Sequence, residues 1–130
     1  YAEYPEYHSW YNESWFAQGE GAAQLLPNEG YVAPPLDGIW ATAPYLHNGS
    51  VPTLADLLQS SARPAYFERD LSNSNYDEAR LGWSYEAKSD GTSTNTYNTT
   101  LPGYGNGGHT FGDELSAADR AALLEYLKTL

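Results

Sequence analysis

The sequence predicts an all-α fold in which short helices are joined by long irregular loops. The clearest evidence is the C-terminal segment, where Ser116 precedes apolar residues at helical spacing up to Leu130. A second, shorter helix is indicated after Thr53. The chain also has 12 glycines and 8 prolines, and almost no run that alternates apolar with polar residues. We therefore expect at most one small hairpin, within residues 85–101.

Residues 1–29 form an aromatic, acidic N-terminal segment. Pro5 limits any helix in this segment to beginning near it. Large rings recur at a spacing of three to four residues, which is typical of one helix face. These rings are Tyr1, Tyr4, Tyr7, Trp10 and Tyr11. We expect this segment to be separate from residues 30–130.

Residues 38–58 contain a dense set of conformationally special residues. Pro44 and Pro52 each fix their own φ angle and favour extended geometry at the residue before them. Between the two prolines, His47 precedes the turn-forming pair Asn48 and Gly49. The pattern predicts a shaped excursion with His47 at its crest.

The short helix after this excursion is predicted from a capping box. The Thr53 hydroxyl can accept a hydrogen bond from the backbone N–H three residues on, and Asp56 occupies the reciprocal position. The helix should end by Ser61, because a residue before proline disfavours helical geometry and Arg63 precedes Pro64.

Residues 70–100 predict a long surface excursion rich in Ser, Asn, Thr and Gly. Oxygen-bearing side chains at near-alternate positions, as in calcium-binding loops, make Ca²⁺ a second interpretation. They are Asp70, Ser72, Ser74 and Asp77. Asn75 replaces the glycine that such loops have at the sixth position, and Leu81 stands where the closing glutamate would be. The calcium interpretation is therefore the weaker of the two.

Charge excludes some classes of partner. The 130-residue chain has 6 basic and 17 acidic residues, for a net charge of -11. Nucleic acids and anionic membranes are disfavoured partners, because both require cationic contacts. No apolar run approaches the roughly 20 residues needed to span a bilayer. A cationic protein or ligand would be attracted instead.

The chain contains no cysteine and no methionine. Disulfides, thiolate zinc sites and cysteine nucleophiles are therefore excluded. Without a starting methionine, we expect the chain to be a processed product or a fragment of a longer polypeptide. No sequence typical of serine hydrolases, phosphate-binding loops or His-Glu-x-x-His zinc sites is present.

Four segments carry a family resemblance in a fixed order. They are GIWATAPYLHNGSVPTLADLL at 38–58, ARPAYF at 62–67, LPGYGNGGHTFG at 101–112 and the terminal residues 115–130. Together they resemble the C-terminal haem domain of bacterial dihaem cytochromes c, the superfamily of dihaem cytochrome c peroxidases and MauG, and most closely its rubber-oxygenase branch. The resemblance covers residues 30–130 and implies a cytochrome c-like all-α domain. The Cys-x-x-Cys-His haem-attachment motif of that family is absent.

The resemblance implies roles for four residues. His109, in the glycine-rich loop before the last helix, would be a distal axial ligand of haem iron. His47 matches a Pro-Tyr-x-His-x-Gly motif and would hold a haem propionate or the ligand-bearing loop. Trp40 and Tyr45 would line a haem edge or relay electrons, with core packing as the alternative for both. From composition alone, His109 could instead be an exposed histidine in a flexible loop.

Two functions from different classes follow. In the first, the chain is the C-terminal portion of a dihaem cytochrome c and closes over a haem c carried by another segment or a partner chain. It would serve electron transfer within a peroxidase- or oxygenase-like oxidoreductase, together with a redox partner protein, in the periplasm or outside the cell. In the second, it is a haem-less secreted binding or structural module with an acidic surface rich in Tyr and Trp.

Overall fold

The computed structural model describes residues 5–26 and 34–130, with side chains described from Ser9 onward in the first range. The chain divides into two compact units, residues 1–35 and 36–130.

The first unit contains helix α1, Pro5–Glu13, followed by a short 3₁₀ turn at Trp15–Ala17. The helix begins at Pro5 as predicted. Side-chain packing can be followed only for part of the predicted ring face, because Tyr1, Tyr4 and the side chain of Tyr7 lie outside the described residues. The Phe16 ring centroid lies 6.0 Å from that of Trp10 and 5.0 Å from that of Tyr11.

The second unit contains the two capped helices that the sequence predicted, α2 at Leu54–Leu57 and α3 at Ala117–Leu127. Thr53 Oγ1 accepts a hydrogen bond from the Asp56 backbone N–H at 3.1 Å. Ser116 Oγ accepts one from the Asp119 backbone N–H, also at 3.1 Å. Across the described ranges, no helix is both long and apolar enough to cross a membrane.

The second unit also contains strands, so the prediction of an all-α fold is wrong. The strands are β1 (Tyr66–Glu68), β2 (Tyr76–Asp77), β3 (Gly82–Trp83), β4 (Glu86–Ala87) and β5 (Tyr97–Asn98). One antiparallel sheet has the order β4-β1-β5, and a second pairs β2 with β3.

The strands escaped prediction because each has only two or three residues, too few to show alternation. The predicted hairpin within residues 85–101 is also wrong: β4 and β5 lie there, but both pair with β1, which runs between them. Phe67 of β1 is buried and stacks on Tyr97 at a centroid distance of 5.1 Å, with Tyr85 at 5.7 Å on an edge. Aromatic packing between segments that are distant in the sequence thus accompanies the pairing of these strands.

The core of the second unit is built around residues 45–54. Its buried members are Tyr45, Val51, Leu54, Leu81 and Leu127. The Leu54 N–H donates to the Leu81 carbonyl at 2.9 Å, and the Trp83 N–H donates to the Pro52 carbonyl at 3.0 Å. The segment singled out by its prolines therefore lies at the centre of this unit.

Candidate functional site

The glycine-rich loop, residues 103–112, is attached at its start to the turn that contains Asn48. Asn48 Nδ2 donates hydrogen bonds to the carbonyls of Gly103 at 3.1 Å and Gly105 at 2.9 Å. Ser50 Oγ donates to the same Gly105 carbonyl at 3.1 Å. Two of the family-like segments, 38–58 and 101–112, are thus joined through backbone carbonyls.

Arg63 holds the middle of the loop. Its guanidinium donates to five backbone carbonyls, which matches the five N–H donors that the group has. Nε donates to Asp56 at 3.0 Å; Nη2 donates to Leu57 at 2.9 Å and His109 at 2.8 Å; Nη1 donates to Gly108 at 2.6 Å and to Asn106. Burial lowers the pKa of Arg63 while the carboxylates of Asp113 and Asp56 act against that shift, and an arginine remains protonated throughout.

The end of the loop packs on the residues that follow α2. The Asp113 carboxylate accepts hydrogen bonds from Ser60 Oγ at 2.6 Å and from the Ser60 backbone N–H at 2.7 Å, and these bonds hold the pKa of Asp113 below its usual value. A Cβ atom on Gly112 would lie 2.4 Å from the Leu58 carbonyl oxygen. The approach of the two backbones therefore requires glycine.

His109 lies on this fastened loop with its side chain exposed. Its φ angle is +55°, in the left-handed region that non-glycine residues seldom adopt. The imidazole makes an edge contact with the Phe111 ring at a centroid distance of 6.0 Å, and Phe111 is 86% exposed. Cβ atoms on Gly105, Gly107 or Gly108 would meet nothing within 4 Å. The loop is thus a bare backbone surface that carries one exposed imidazole and one exposed phenyl ring.

The other histidine assigned by resemblance, His47, is also exposed. Asn48 and Ser50, in the same turn, donate hydrogen bonds to carbonyls of the glycine-rich loop. Tyr97 adds a further link, since its hydroxyl donates to the Asn48 carbonyl at 2.7 Å. The role predicted for His47, holding a haem propionate or the glycine-rich loop, remains a prediction. In the structure, Asn48 and Ser50 contact that loop.

Tyr45 packs in the core, and its predicted role at a haem edge remains a prediction. It is 5% exposed, and its hydroxyl donates to the carbonyls of Ile39 at 2.9 Å and Leu81 at 3.3 Å. Burial raises the pKa of Tyr45, with a smaller contribution from Tyr76. The side chain connects the residues before Pro44 to the strand region through the core.

Tyr45→Phe is expected to lower the free energy of unfolding by about 1 kcal/mol, because the carbonyls of Ile39 and Leu81 lose a hydroxyl donor that they share, while each keeps another donor. Urea unfolding followed by fluorescence measures this change. Tyr126→Phe is the matched control: Tyr126 is 58% exposed, so a change within about 0.5 kcal/mol is expected. Equal losses in the two variants would contradict a structural role for the Tyr45 hydroxyl.

Trp40 lies in a different environment from the glycine-rich loop. It is 43% exposed, and its carbonyl accepts a hydrogen bond from the Tyr76 hydroxyl. Its side chain lines an open cavity of about 290 Å³ together with Tyr76, Glu78, Leu81 and Lys128. The predicted role of Trp40 at a haem edge remains a prediction.

The residues suggested for calcium form local turns. Asp70 accepts hydrogen bonds from the Ser72 hydroxyl at 2.6 Å, the Ser72 backbone N–H at 2.9 Å and the Asn73 amide at 2.5 Å. The Ser72 bonds are the main reason that the pKa of Asp70 is lowered. Both Asp70 carboxylate oxygens are therefore engaged within the turn, and the calcium interpretation gains no support.

The site also contains residues to which sequence reasoning gave no role. In the sequence, Arg63 indicates the end of the short helix before Pro64 and belongs to a matching segment, but nothing there connects it to the loop, although it is the first basic residue of an acidic chain. Its partners are carbonyls, which have no residue-type signature. Phe111 lies two positions after His109, but in the sequence a phenylalanine is indistinguishable from an ordinary core residue.

Histidine is a common axial ligand of haem iron, and the flat macrocycle needs open space beside that ligand. The loop offers both. His109 offers the nitrogen, while the open glycine backbone and the exposed Phe111 ring leave space for a planar apolar group. In the part of the chain that the structure describes, no group of three or more His, Cys, Asp or Glu side chains is gathered for a metal ion.

Comparisons with known proteins support a cytochrome c-like family related to RoxA. Residues 30–68 match the family model described as RoxA-like, cytochrome c-like. This segment includes Arg63 and the turn of Asn48, whereas His109 lies beyond it. The match indicates a haem-related redox role.

Two bacterial relatives come from Sinorhizobium fredii (strain NBRC 101917 / NGR234). One, "Uncharacterized protein y4iJ", is 44% identical over 110 residues, which are 77% of this chain and 18% of the relative. The other, "Uncharacterized protein y4iM", is 54% identical over 55 residues, which are 42% of this chain and 12% of the relative. The chain thus corresponds to less than a fifth of the length of either relative.

Proposed function

We propose that the chain is the C-terminal portion of a haem-dependent redox protein and that His109 is an axial ligand to iron. The observation that carries this proposal is the fastened glycine-rich loop, which presents an exposed imidazole beside open backbone and Phe111. Bound haem would supply an iron centre for electron transfer within a peroxidase- or oxygenase-like dihaem assembly.

The residues of this chain perform binding and positioning in that proposal. The His109 imidazole would give a nitrogen lone pair to the iron, and Phe111 would cover apolar surface of the haem. His47 would hold a propionate or the loop. Thioether attachment must come from another segment or a partner chain, because the chain contains no cysteine. Such a haem c is attached outside the cytoplasm, so we place the protein in the periplasm or outside the cell.

The net charge of -11 favours a cationic redox partner protein. An anionic partner would be repelled. Association with a cationic partner would weaken as salt screens these charges.

The test is ligation of a haem c peptide whose iron holds one histidine and one exchangeable water. Adding the 130-residue chain should convert the ferric iron from high to low spin, seen as a saturable shift of the Soret band. His109→Ala should abolish the shift, because it removes the only group proposed to bind iron. His47→Ala should weaken binding without changing the final spectrum.

His8→Ala is the matched control, since it removes another imidazole of the same acidic chain. It should leave the titration unchanged. A Soret shift of full size in His109→Ala would show that another group binds the iron and would overturn the assignment.

The second candidate, a haem-less secreted binding module, is favoured by one observation. In the first unit, Trp10 and Trp15 are 60% and 84% exposed, and both rings contact Phe16. Exposed aromatic groups suit binding to proteins or sugars. A wild-type chain that produces no Soret shift would favour this candidate.

A further inference from the structure

We propose that Arg63 is the positioning residue for His109: it holds the glycine-rich loop in the conformation that presents the imidazole to iron. The inference rests on the proposed function above and extends it to a residue that lies outside the ligand set. Its basis is the number and location of the hydrogen bonds that the Arg63 guanidinium donates.

Arg63 connects two parts of the fold with one rigid group. On one side it donates to the carbonyls of Asp56 and Leu57 at the end of α2. On the other side it donates to three loop carbonyls, including that of His109 itself at 2.8 Å. The planar guanidinium has the donors in fixed directions, whereas a lysine has one ammonium with three donors and cannot reach both sets at once.

The loop needs such a group because its own sequence does not determine its shape. Glycine loses more conformational freedom on ordering than any other residue, and Gly105, Gly107 and Gly108 all precede His109. His109 must in addition adopt a left-handed φ of +55°, which is unfavourable for a residue with a Cβ. The hydrogen bonds from Arg63 to the carbonyls of Asn106, Gly108 and His109 offset these costs.

Arg63 acts through the backbone and not on the ligand. All five N–H groups of the guanidinium donate to carbonyl oxygens, so no N–H remains for a propionate or an iron-bound group. Its loss should therefore change how often the imidazole is correctly placed but not the bond that it forms. This predicts a weaker affinity with an unchanged final spectrum.

The experiment compares Arg63→Lys with the wild-type chain in two assays. In the haem-free chain, hydrogen exchange of the amides in residues 103–112 should become at least about tenfold faster, because the loop opens more often. With the haem c peptide, the apparent Kd should rise about tenfold or more, while the low-spin spectrum at saturation stays the same. Arg63→Gln, which has fewer donors, serves as a second variant if the lysine variant does not fold.

Arg69→Lys is the matched control. Arg69 lies over the Trp83 ring at 4.2 Å, away from the loop carbonyls, and its replacement should leave both assays unchanged. An unaltered exchange rate or an unaltered Kd in a folded Arg63 variant would overturn the inference. Failure of the wild-type chain to bind the haem peptide would instead overturn the proposed function, and the exchange assay would still report whether Arg63 holds the loop.

Discussion

Replacing Arg80 with methionine is expected to lower the free energy of unfolding by about 3 kcal/mol, the lower end of the range for removing the partner of a buried charge, because only the Asp56 side of this ion pair is buried. The Asp56 side chain is 0% exposed, and its carboxylate accepts hydrogen bonds from Arg80 Nη2 and Thr53 Oγ1, both at 2.5 Å. Methionine keeps much of the length of arginine but removes the charge. The variant would leave a buried carboxylate without its cationic partner, with the hydroxyls of Thr53 and Tyr85 as its neighbouring donors.

The two side chains of the Arg80–Asp56 ion pair differ in their exposure to water. The Arg80 side chain is 43% exposed, so it can reach water if its partner is removed. Asp56→Asn should therefore cost less than Arg80→Met, since the amide oxygen still accepts from Thr53 and no buried charge remains. Urea unfolding of both variants measures the difference. A larger loss in Asp56→Asn would contradict the argument.

Arg69→Met is the control for loss of an arginine as such. Arg69 stacks on Trp83, an interaction worth about 0.5–1 kcal/mol at a partly exposed site. A loss in Arg69→Met that equals the loss in Arg80→Met would show that the ion pair has no special contribution.

The sequence predicted those features of the fold that depend on neighbouring residues. The caps at Thr53 and Ser116 are confirmed, because capping joins residues three positions apart and requires particular residue types. The pairing of Arg80 with Asp56 joins residues 24 positions apart and has no local signature. The same reason explains why β1 was missed, since its partners lie about 20 and 30 positions further along the chain.

In the candidate site, too, the features that depend on neighbouring residues were predictable and those that depend on distant residues were not. Five glycines around His109 were enough to indicate a loop that could pass close to a flat group. The fastening of that loop was not predictable, because Arg63 and Asn48 bind carbonyl oxygens that every residue possesses. Nothing in the sequence around Arg63 indicates which carbonyl groups it binds.

Gly82→Ala is expected to lower the free energy of unfolding by about 3 kcal/mol, at the upper end for overpacking. A Cβ on Gly82 would lie 2.3 Å from the Pro52 carbonyl oxygen and 2.6 Å from the Thr53 Cα. Both atoms belong to the backbone and cannot rotate away. Relief of the clash would have to separate β3 from residues 52–54, where the Trp83 N–H donates to Pro52 at 3.0 Å and the Leu54 N–H donates to Leu81 at 2.9 Å.

Gly107→Ala is the matched control, because a Cβ there would meet nothing within 4 Å. It should change the free energy of unfolding by less than about 0.5 kcal/mol, or stabilise slightly by restricting the unfolded chain. Denaturant unfolding of the two alanine variants separates a steric effect from a general effect of losing glycine. Equal stability in the two would mean that β3 does not approach Pro52 this closely, and the core around residues 45–54 would then need a different packing.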